Sequence, residues 1–293
     1  MSEYDILLTG GGGQIGTELR RLAPPSWRIS APNSADLDVR DPARLAAQVA
    51  ERPWAAVINC AAYTDVDSAE SEITEAWLIN ALGPATLAES TARAGIPLIH
   101  LSTDYVFDGR KTGPYVEEDP VGPLSVYGAS KEAGEQAVRT GNPRHVILRT
   151  AWVVSPNGHN FVKTMLRLAA ERPLVRVVND QVGSPTSAGD IALALTEIVE
   201  RQFGRRRAPV GTFHFVNGGE ASWYDVASAI FDRLAARGRL APTVEPITTA
   251  DYPTAARRPA NSRLSCVKLG IELGMSPRDW RAAVNDVVDT LLT

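Results

Sequence analysis

The sequence contains little cysteine and no long apolar run. Its two cysteines, Cys60 and Cys266, are far apart and belong to no spacing that is typical of a metal site. The four histidines are equally scattered, at His100, His145, His159 and His214. No apolar stretch approaches the roughly 20 residues that a membrane-spanning helix requires, and the N-terminal residues show no signal-peptide pattern. We therefore expect no metal site, no membrane contact and a cytoplasmic location.

A large excess of charge of one sign is also absent. The 293 residues include 30 Lys and Arg against 34 Asp and Glu, which gives a net charge of −4. This balance argues against a nucleic-acid-binding surface. The densest basic cluster, the three arginines at 205–207, is expected to be a solvated loop. The length and a hydrophobic share of 44% provide for one large or two modest domains with a substantial core.

Short apolar runs alternate with helical patterns through the first half of the chain. The apolar runs predict strands at 5–9, 27–31, 55–60, 98–102 and 146–150. The helical patterns lie at 15–22, 42–51, 74–94 and 130–139. Such alternation implies a parallel sheet that is covered by helices on both faces. We predict an α/β protein with a Rossmann-type, doubly wound parallel sheet over residues 1–150.

The alternation breaks after residue 150. Helical patterns at 161–171, 190–201 and 223–237 are mixed with strand-like runs at 174–178 and 211–216, and a loop with three prolines follows. We predict a smaller C-terminal α/β lobe over residues 151–293 that mainly binds substrate. The helix near 190–201 could return to the first domain, which leaves the boundary between the two open.

Gly10, Gly13 and Gly16 form a G-x-x-G-x-x-G pattern between the first strand and the first helix. Gly10 permits the tight turn, Gly13 lets a pyrophosphate approach the backbone, and Gly16 lets the helix pack closely on the strand. A merely flexible turn is the alternative, but the strand–turn–helix context favours dinucleotide binding at the helix N-terminus. The second strand ends near residues 29–32 without the acidic residue that usually binds the adenosine ribose. The sequence therefore does not choose between NADH and NADPH.

Tyr127 and Lys131 are four residues apart and lie on one face of a predicted helix. An ammonium beside a phenol is expected to lower the tyrosine pKa from about 10, so that the phenol exchanges a proton near neutral pH. Such a pair often occurs by chance on a helix surface. A functional role for this pair is favoured by the glycine turn and by Thr103 and Asp104. These two residues end a predicted strand, where open α/β sheets place their sites.

The order of Thr103, Tyr127 and Lys131 after a glycine turn resembles the extended short-chain dehydrogenase/reductase family. Four segments resemble its sugar-nucleotide reductase branch in particular, and they lie at 102–107, 149–152, 179–186 and 252–264. The resemblance runs from the first strand to about residue 264. It implies an oxidoreductase that uses NADPH or NADH to reduce the C4 keto group of dTDP-4-dehydro-L-rhamnose to dTDP-L-rhamnose, the last step of dTDP-L-rhamnose biosynthesis.

The resemblance also implies roles for individual residues. Tyr127 would protonate the C4 oxygen, Lys131 would support the tyrosine and bind the nicotinamide ribose, and Thr103 would polarise the carbonyl. The substrate would contact Thr103, Asp104 and Trp152. The cofactor would lie against Gly10, Gly11, Gly12, Gly13, Gln14, Ile15, Asp38, Val39, Ala62, Tyr63, Thr64, Tyr127 and Lys131. Magnesium is possible by resemblance only, as an ion associated with a dimer, and the chain would be a monomer or a homodimer.

Several alternatives stay open at this level. Trp152 could be a core residue at the domain junction, and Asp104 could cap a turn. Arg258 and Asn261, in a proline-rich segment, could hold the diphosphate or the base, or lie in a surface loop. The chain could also be another sugar-nucleotide epimerase, reductase or dehydratase, although the Thr-Asp-Glu segment typical of the dehydratases is missing. A non-catalytic NAD(P)-binding regulatory subunit is the remaining alternative, but it would not need the Thr103, Tyr127 and Lys131 set.

Overall fold

The computed structural model describes residues 4–204 and 208–293, so the predicted basic loop at 205–207 lies outside the described residues. The strands are β1 (Tyr4–Thr9), β2 (Trp27–Ser30), β3 (Ala56–Asn59), β4 (Leu98–Thr103), β5 (His145–Thr150), β6 (Val153–Val154), β7 (Leu174–Val178), β8 (Val182–Gly183), β9 (Thr186–Ser187), β10 (Gly211–His214), β11 (Ala221–Ser222) and β12 (Thr243–Ile247). The helices are α1 (Gln14–Leu22), α2 (Pro42–Ala50), α3 (Ile73–Trp77), α4 (Gly83–Arg93), α5 (Val126–Gly141), α6 (Phe161–Glu171), α7 (Ala188–Phe203), α8 (Trp223–Ala236), α9 (Val267–Leu273) and α10 (Trp280–Leu292). Among the described residues, no helix is long and apolar enough to cross a membrane.

A six-stranded parallel sheet forms the larger half, in the order β10-β5-β4-β3-β1-β2. Strands β4 and β5 are buried along their whole length, as expected for a sheet with helices on both faces. The strand order reverses between β1 and β3, and this switch point opens at the carboxyl ends of the strands. The predicted doubly wound α/β fold is confirmed.

The helix predicted at 74–94 is divided into three parts. A π-helical turn (Leu78–Leu82) separates α3 from α4. Pro84 lacks the N–H group that would donate to the carbonyl of Asn80, so the regular α-helical bond cannot form there. The carbonyl oxygen of Asn80 lies instead against α5, where a Cβ on Gly134 would be 2.1 Å from it, and the Asn80 side chain is fully buried.

Two elements of the second half return to the large sheet. Strand β10, predicted as part of the lobe, pairs with β5, and α7 packs on α1 through Leu195, Ile191 and Leu19. The smaller core lies between α6, α8 and α10, where Val162, Phe231 and other apolar residues meet. The division of the chain into domains at residue 150 stays a prediction.

The prediction of a proline-rich loop after residue 237 is wrong in part, because residues 243–247 form β12 and pair with β7 in parallel. Pro246 lies within this strand. Strand β12 pairs only with β7 in its two-stranded sheet, so the missing N–H group of Pro246 can face away from the partner strand. Helices α9 and α10 were not predicted from the sequence.

A buried ion pair joins α5 to β5. Glu135 is fully buried and accepts two hydrogen bonds from Arg149, which is 2% exposed: 2.8 Å from Nε to Oε1 and 2.6 Å from Nη2 to Oε2. The guanidinium also lies over the Phe107 ring, 4.9 Å from its centre. Arg139 also donates to Glu135 Oε2, at 3.1 Å, but it is partly exposed, so Arg149 is the main buried partner of this carboxylate.

We expect Arg149→Met to lower the free energy of unfolding by about 3–5 kcal/mol at pH 7, because it leaves the Glu135 carboxylate buried without its main partner. Urea denaturation measures the change. The matched control is Arg167→Met, which breaks an exposed pair with Glu171 on α6 and should cost less than about 1 kcal/mol. Equal losses in the two variants would contradict a stabilising role for the buried pair.

Candidate active site

The glycine turn forms a cradle at the switch point of the sheet. Gly10 has a φ of 73°, which favours glycine, and a Cβ there would lie 2.4 Å from the Ala61 nitrogen. A Cβ on Gly16 would lie 2.3 Å from the Gly10 oxygen, so α1 packs directly against the turn. No side chain caps the N-terminus of α1 at Gly13, and Gly12 is exposed with open space beside it. The first N–H groups of the helix are thus available to an anion.

The segment after β3 forms the second wall of this cradle. Asn59 ends the strand, and its amide oxygen accepts hydrogen bonds from Thr9 Oγ1 at 2.6 Å and from the Ala61 nitrogen at 3.1 Å. The buried Asn80 side chain bonds both backbone groups of Tyr63 and the hydroxyl of Ser130 on α5. The sequence interpretation missed Asn80, because its partners lie 17 and 50 positions away in the sequence.

The other predicted cofactor residues lie around the same turn. Gln14 accepts a 2.9 Å hydrogen bond from Asn160, which connects α1 to the smaller half. Val39 lies against α4, since a Cβ on Gly83 would be 3.0 Å from the Val39 oxygen. Asp38 is paired with Arg40 and Arg40 also with Glu75, at 2.6 Å each. Of the remaining predicted positions, Gly11 lies on the turn, Ile15 lies in the first turn of α1, and Ala62 and Thr64 follow β3.

Helix α5 carries Tyr127 and Lys131, as predicted, and close packing positions both. The N-cap Ser125 accepts a hydrogen bond from the Gly128 nitrogen. A Cβ on Gly128 would lie 2.2 Å from the carbonyl oxygen of Tyr105, so only glycine allows the helix to come this near to the end of β4. Tyr127 is 9% exposed and Lys131 is 2% exposed.

Burial determines the protonation of this pair. It raises the pKa of the Tyr127 phenol above its ordinary value, and the charge on Asp104 adds to the rise while the Thr103 hydroxyl opposes it. The expectation that Lys131 would lower the tyrosine pKa is therefore wrong. The Lys131 ammonium instead donates to the Leu101 oxygen at 2.6 Å. Burial lowers the pKa of Lys131 to about 8.

The end of β4 brings Thr103 and Asp104 to the tyrosine. Thr103 Oγ1 donates to Asp104 Oδ1 at 3.0 Å, and burial raises the pKa of Asp104 to about 6. The other carboxylate oxygen, Asp104 Oδ2, is buried and has no hydrogen bond of ordinary geometry, while the nearby Ser262 hydroxyl opposes the rise in the pKa of the carboxyl. The hydroxyls of Ser102, at the end of β4, and Thr150, at the end of β5, are also buried without a partner. Because buried polar atoms are normally paired, this group fits a site completed by the polar atoms of a bound molecule.

Trp152 follows β5 and is the non-glycine residue with positive φ, 47°, among those described. It stacks face to face on Trp223, with 3.6 Å between ring centres and 7° between planes. A Cβ on Gly183 would lie 2.5 Å from the Trp152 ring, so the ring in this position requires glycine at residue 183. A strained backbone held by its surroundings is common at binding sites. The sequence interpretation missed Trp223.

The two candidates in the C-terminal segment differ in their contacts. Arg258 donates to the hydroxyl of Tyr105 at 3.0 Å and to Asp67 at 2.6 Å, and the Tyr105 ring meets Tyr127 edge-on at 5.5 Å. Arg258 is therefore connected to Tyr127 through one intervening side chain, that of Tyr105. Asn261 donates to the backbone oxygens of residues 111 and 113, so its amide holds that loop. A contact of either residue with substrate stays a prediction.

Among the described residues, no group of three or more His, Cys, Asp and Glu is placed to hold a metal ion. Burial raises the pKa of Cys60 to about 12, which keeps this thiol protonated. The site therefore offers a phenol, an ammonium, a hydroxyl and a carboxyl group beside an anion cradle. That set is suited to proton transfer next to a bound dinucleotide.

Comparison with known proteins gives consistent matches over nearly the whole chain. The model of the RmlD substrate binding domain matches residues 4–293. A dTDP-4-dehydrorhamnose reductase of Aggregatibacter actinomycetemcomitans is 43% identical over 96% of this chain and 97% of its own, and one of Sinorhizobium fredii is 45% identical over 98% and 97%. The crystal structure of dTDP-4-dehydrorhamnose reductase from Bacillus anthracis in complex with NADP superposes with a TM-score of 0.92 at 34% identity, covering 99% of this chain and 100% of that one.

We expect Trp223→Ala to destabilise the protein by about 2–4 kcal/mol, because it removes a partly buried aromatic ring and the stacking that opposes the strain at Trp152. Trp223→Phe keeps a stacking surface and should recover at least half of this loss. Urea denaturation followed by circular dichroism measures both variants, beside Trp77→Ala, which removes a 42% exposed ring elsewhere. A loss of stability at Trp223 no larger than the loss at Trp77 would contradict a stabilising role for the stacked pair.

Proposed function

Because the chain belongs to the RmlD substrate binding domain family, we propose that it reduces the C4 ketone of dTDP-4-dehydro-L-rhamnose with NADPH or NADH, which gives dTDP-L-rhamnose. The names of its relatives support this substrate. The single observation that carries the proposal is the meeting of Tyr127, Lys131 and Thr103 beside the glycine cradle, at the carboxyl ends of β1, β3 and β4. A nicotinamide bound there would supply the hydride.

Tyr127 acts as the proton donor in this proposal. Hydride addition to C4 places negative charge on the ketone oxygen, and a donor aimed at that oxygen stabilises the charge as it develops. The raised pKa keeps the phenol protonated at neutral pH, which is the form that an acid must have at the start of reduction. The phenol then gives its proton to the C4 oxygen and recovers one from water.

Lys131 supports the phenol after proton transfer. Its ammonium lies on the same helical face and is held by the Leu101 oxygen, where positive charge favours the phenolate that remains on Tyr127. The same ammonium would also bind the nicotinamide ribose. Because its pKa is about 8, Lys131 is mostly charged at pH 7.

Thr103, Asp104 and Trp152 contact the sugar in this proposal. The Thr103 hydroxyl would polarise the carbonyl, and the unpartnered Asp104 oxygen would accept a hydroxyl of the sugar. Trp152 presents a partly buried ring at the end of the neighbouring strand. The stacking on Trp223 supports a packing role for Trp152, and the contact of this ring with the sugar is part of the proposal.

The alternatives make different demands on the site. A regulatory NAD(P)-binding subunit would not need a buried phenol beside a buried ammonium, and an epimerase or dehydratase would release a product of different mass or configuration. A cytoplasmic location and a monomeric or homodimeric state remain parts of the proposal. A magnesium ion is supported only by the family resemblance.

We expect Tyr127→Phe to lower turnover more than a hundredfold, because the ring stays in place while its proton donor is lost. The assay follows NADPH and NADH oxidation at 340 nm with enzymatically generated dTDP-4-dehydro-L-rhamnose, and mass analysis identifies the product. Cofactor binding, measured by fluorescence titration, should stay within about threefold of wild type. Undiminished turnover in this variant would remove Tyr127 from the mechanism, and absence of reduction by the wild type would contradict the proposed function.

A pH profile tests the role of Lys131. We expect kcat/KM to be sustained at neutral pH and to fall about tenfold for each pH unit well above 8, because deprotonation removes the ammonium. The direction follows from a lysine whose lowered pKa keeps it charged below about 8 and neutral above. A Lys131→Met variant should lose most activity and this alkaline limb. A wild-type profile that stays flat to pH 10 would contradict the assignment.

A further inference from the structure

The residue after β2 touches the glycine turn. A Cβ placed on Gly11 would lie 2.7 Å from the Cβ of Ala31. In a doubly wound sheet, the adenosine ribose of a dinucleotide lies here, between the glycine turn and the tip of the second strand. Ser30, Ala31 and Pro32 bring no carboxylate to this place. The 2′-position of a bound ribose would therefore meet no negative charge from the strand end.

A cationic side chain extends toward the same place. The Cδ atom of Arg20, on α1, lies 3.7 Å from the Cβ position of Gly11. Side chains of a helix lean toward its N-terminus, so Arg20 runs back along α1 to the turn from which the helix starts. Arg20 is exposed and forms no hydrogen bond or ion pair with any residue in 4–204 or 208–293.

The neighbouring arginines are engaged elsewhere. Three of them pair with carboxylates: Arg21 with Glu18 at 2.6 Å, Arg28 with Asp5 at 2.8 Å, and Arg40 with Asp38 and Glu75 at 2.6 Å each. The pairing with Arg40 lowers the pKa of Asp38 and offsets its negative charge. Arg20 is thus the arginine of this group whose guanidinium is left for a ligand.

We propose that Arg20 binds the 2′-phosphate of NADPH and that this contact, with the missing carboxylate at Ala31, makes the chain prefer NADPH to NADH. The inference rests on the proposed function, because it assumes that a nicotinamide dinucleotide occupies the cradle. A guanidinium offers several N–H donors to phosphate oxygens, whereas a carboxylate would repel them and bind the free 2′-hydroxyl instead. The preference should appear in binding and KM rather than in kcat, because the 2′-phosphate is remote from the reacting nicotinamide.

Binding of two adenosine probes tests the proposal without turnover. Isothermal titration calorimetry should show that 2′,5′-ADP binds the wild-type protein roughly tenfold or more tightly than ADP, as one charged contact would produce. Arg20→Gln should remove most of this difference and leave ADP binding unchanged. The matched control Arg21→Gln loses the same charge one residue further along and should keep the difference. Equal binding of both probes by the wild type, or an undiminished difference in Arg20→Gln, would overturn the proposal.

Ala31→Asp provides the second variant. This variant retains the Cβ that touches Gly11 and adds a carboxylate at the ribose. It should therefore weaken the binding of 2′,5′-ADP more than tenfold and leave the binding of ADP unchanged or tighter. The ratio of kcat/KM for NADPH and NADH should move in the same direction. An unmoved ratio and unmoved probe binding would count against the proposal. If the protein distinguishes the two probes but reduces no keto sugar, the inference about Arg20 stands and the proposed function is contradicted. If it reduces the keto sugar equally well with NADH and NADPH, the proposed function stands and the inference about Arg20 is contradicted.

Discussion

The packing of α5 against the ends of β4 and β5 is the constraint on which the candidate site depends. Gly128 lets the helix touch the carbonyl oxygen of Tyr105, and Glu135 binds the Arg149 guanidinium within the core. One contact lies next to Tyr127 and the other lies one turn beyond Lys131, so both functional side chains are placed between two anchors. The ion pair need not add net stability compared with an apolar pair, but it sets the distance and rotation of the helix relative to the sheet.

Burial then gives the site its chemistry. A phenol on an exposed helix would feel the lysine through water, where two charges interact weakly. In this protein, desolvation dominates and raises the tyrosine pKa, while it lowers the pKa of Lys131 to about 8. Reduction requires an acid at the start of the reaction, so the raised pKa suits the proposed direction. The ammonium becomes important once the proton has left, because the phenolate is then the buried charge that needs a partner.

The first half of the fold could be predicted from the sequence because each strand there is a short apolar run that ends at a turn, and each helix has its own periodicity. Strand pairing between residues far apart in the sequence could not be predicted. Residues of β10 pair with residues of β5 that lie 65 positions earlier, and Pro246 is tolerated because β12 has one neighbour. The same division holds at the site. Tyr127, Lys131 and Thr103 are recognisable by spacing, whereas Asn80 and Trp223 act through contacts with residues 17 and 71 positions away.

The C-terminal segment reaches the candidate tyrosine, Tyr127, through Tyr105. Arg258 bonds both Asp67 and the Tyr105 hydroxyl, and the Tyr105 ring meets the edge of Tyr127. A substrate that drew the guanidinium toward its own diphosphate would therefore change the contacts of Tyr105 at the same time. Tyr105 also follows Thr103 and Asp104, and its backbone N–H donates to the Thr103 hydroxyl. Arg258 thus links the C-terminal segment to the strand end that carries the proposed substrate contacts. In the proposed site, residues from both halves of the chain are therefore in contact, because Arg258 reaches Tyr127 through Tyr105.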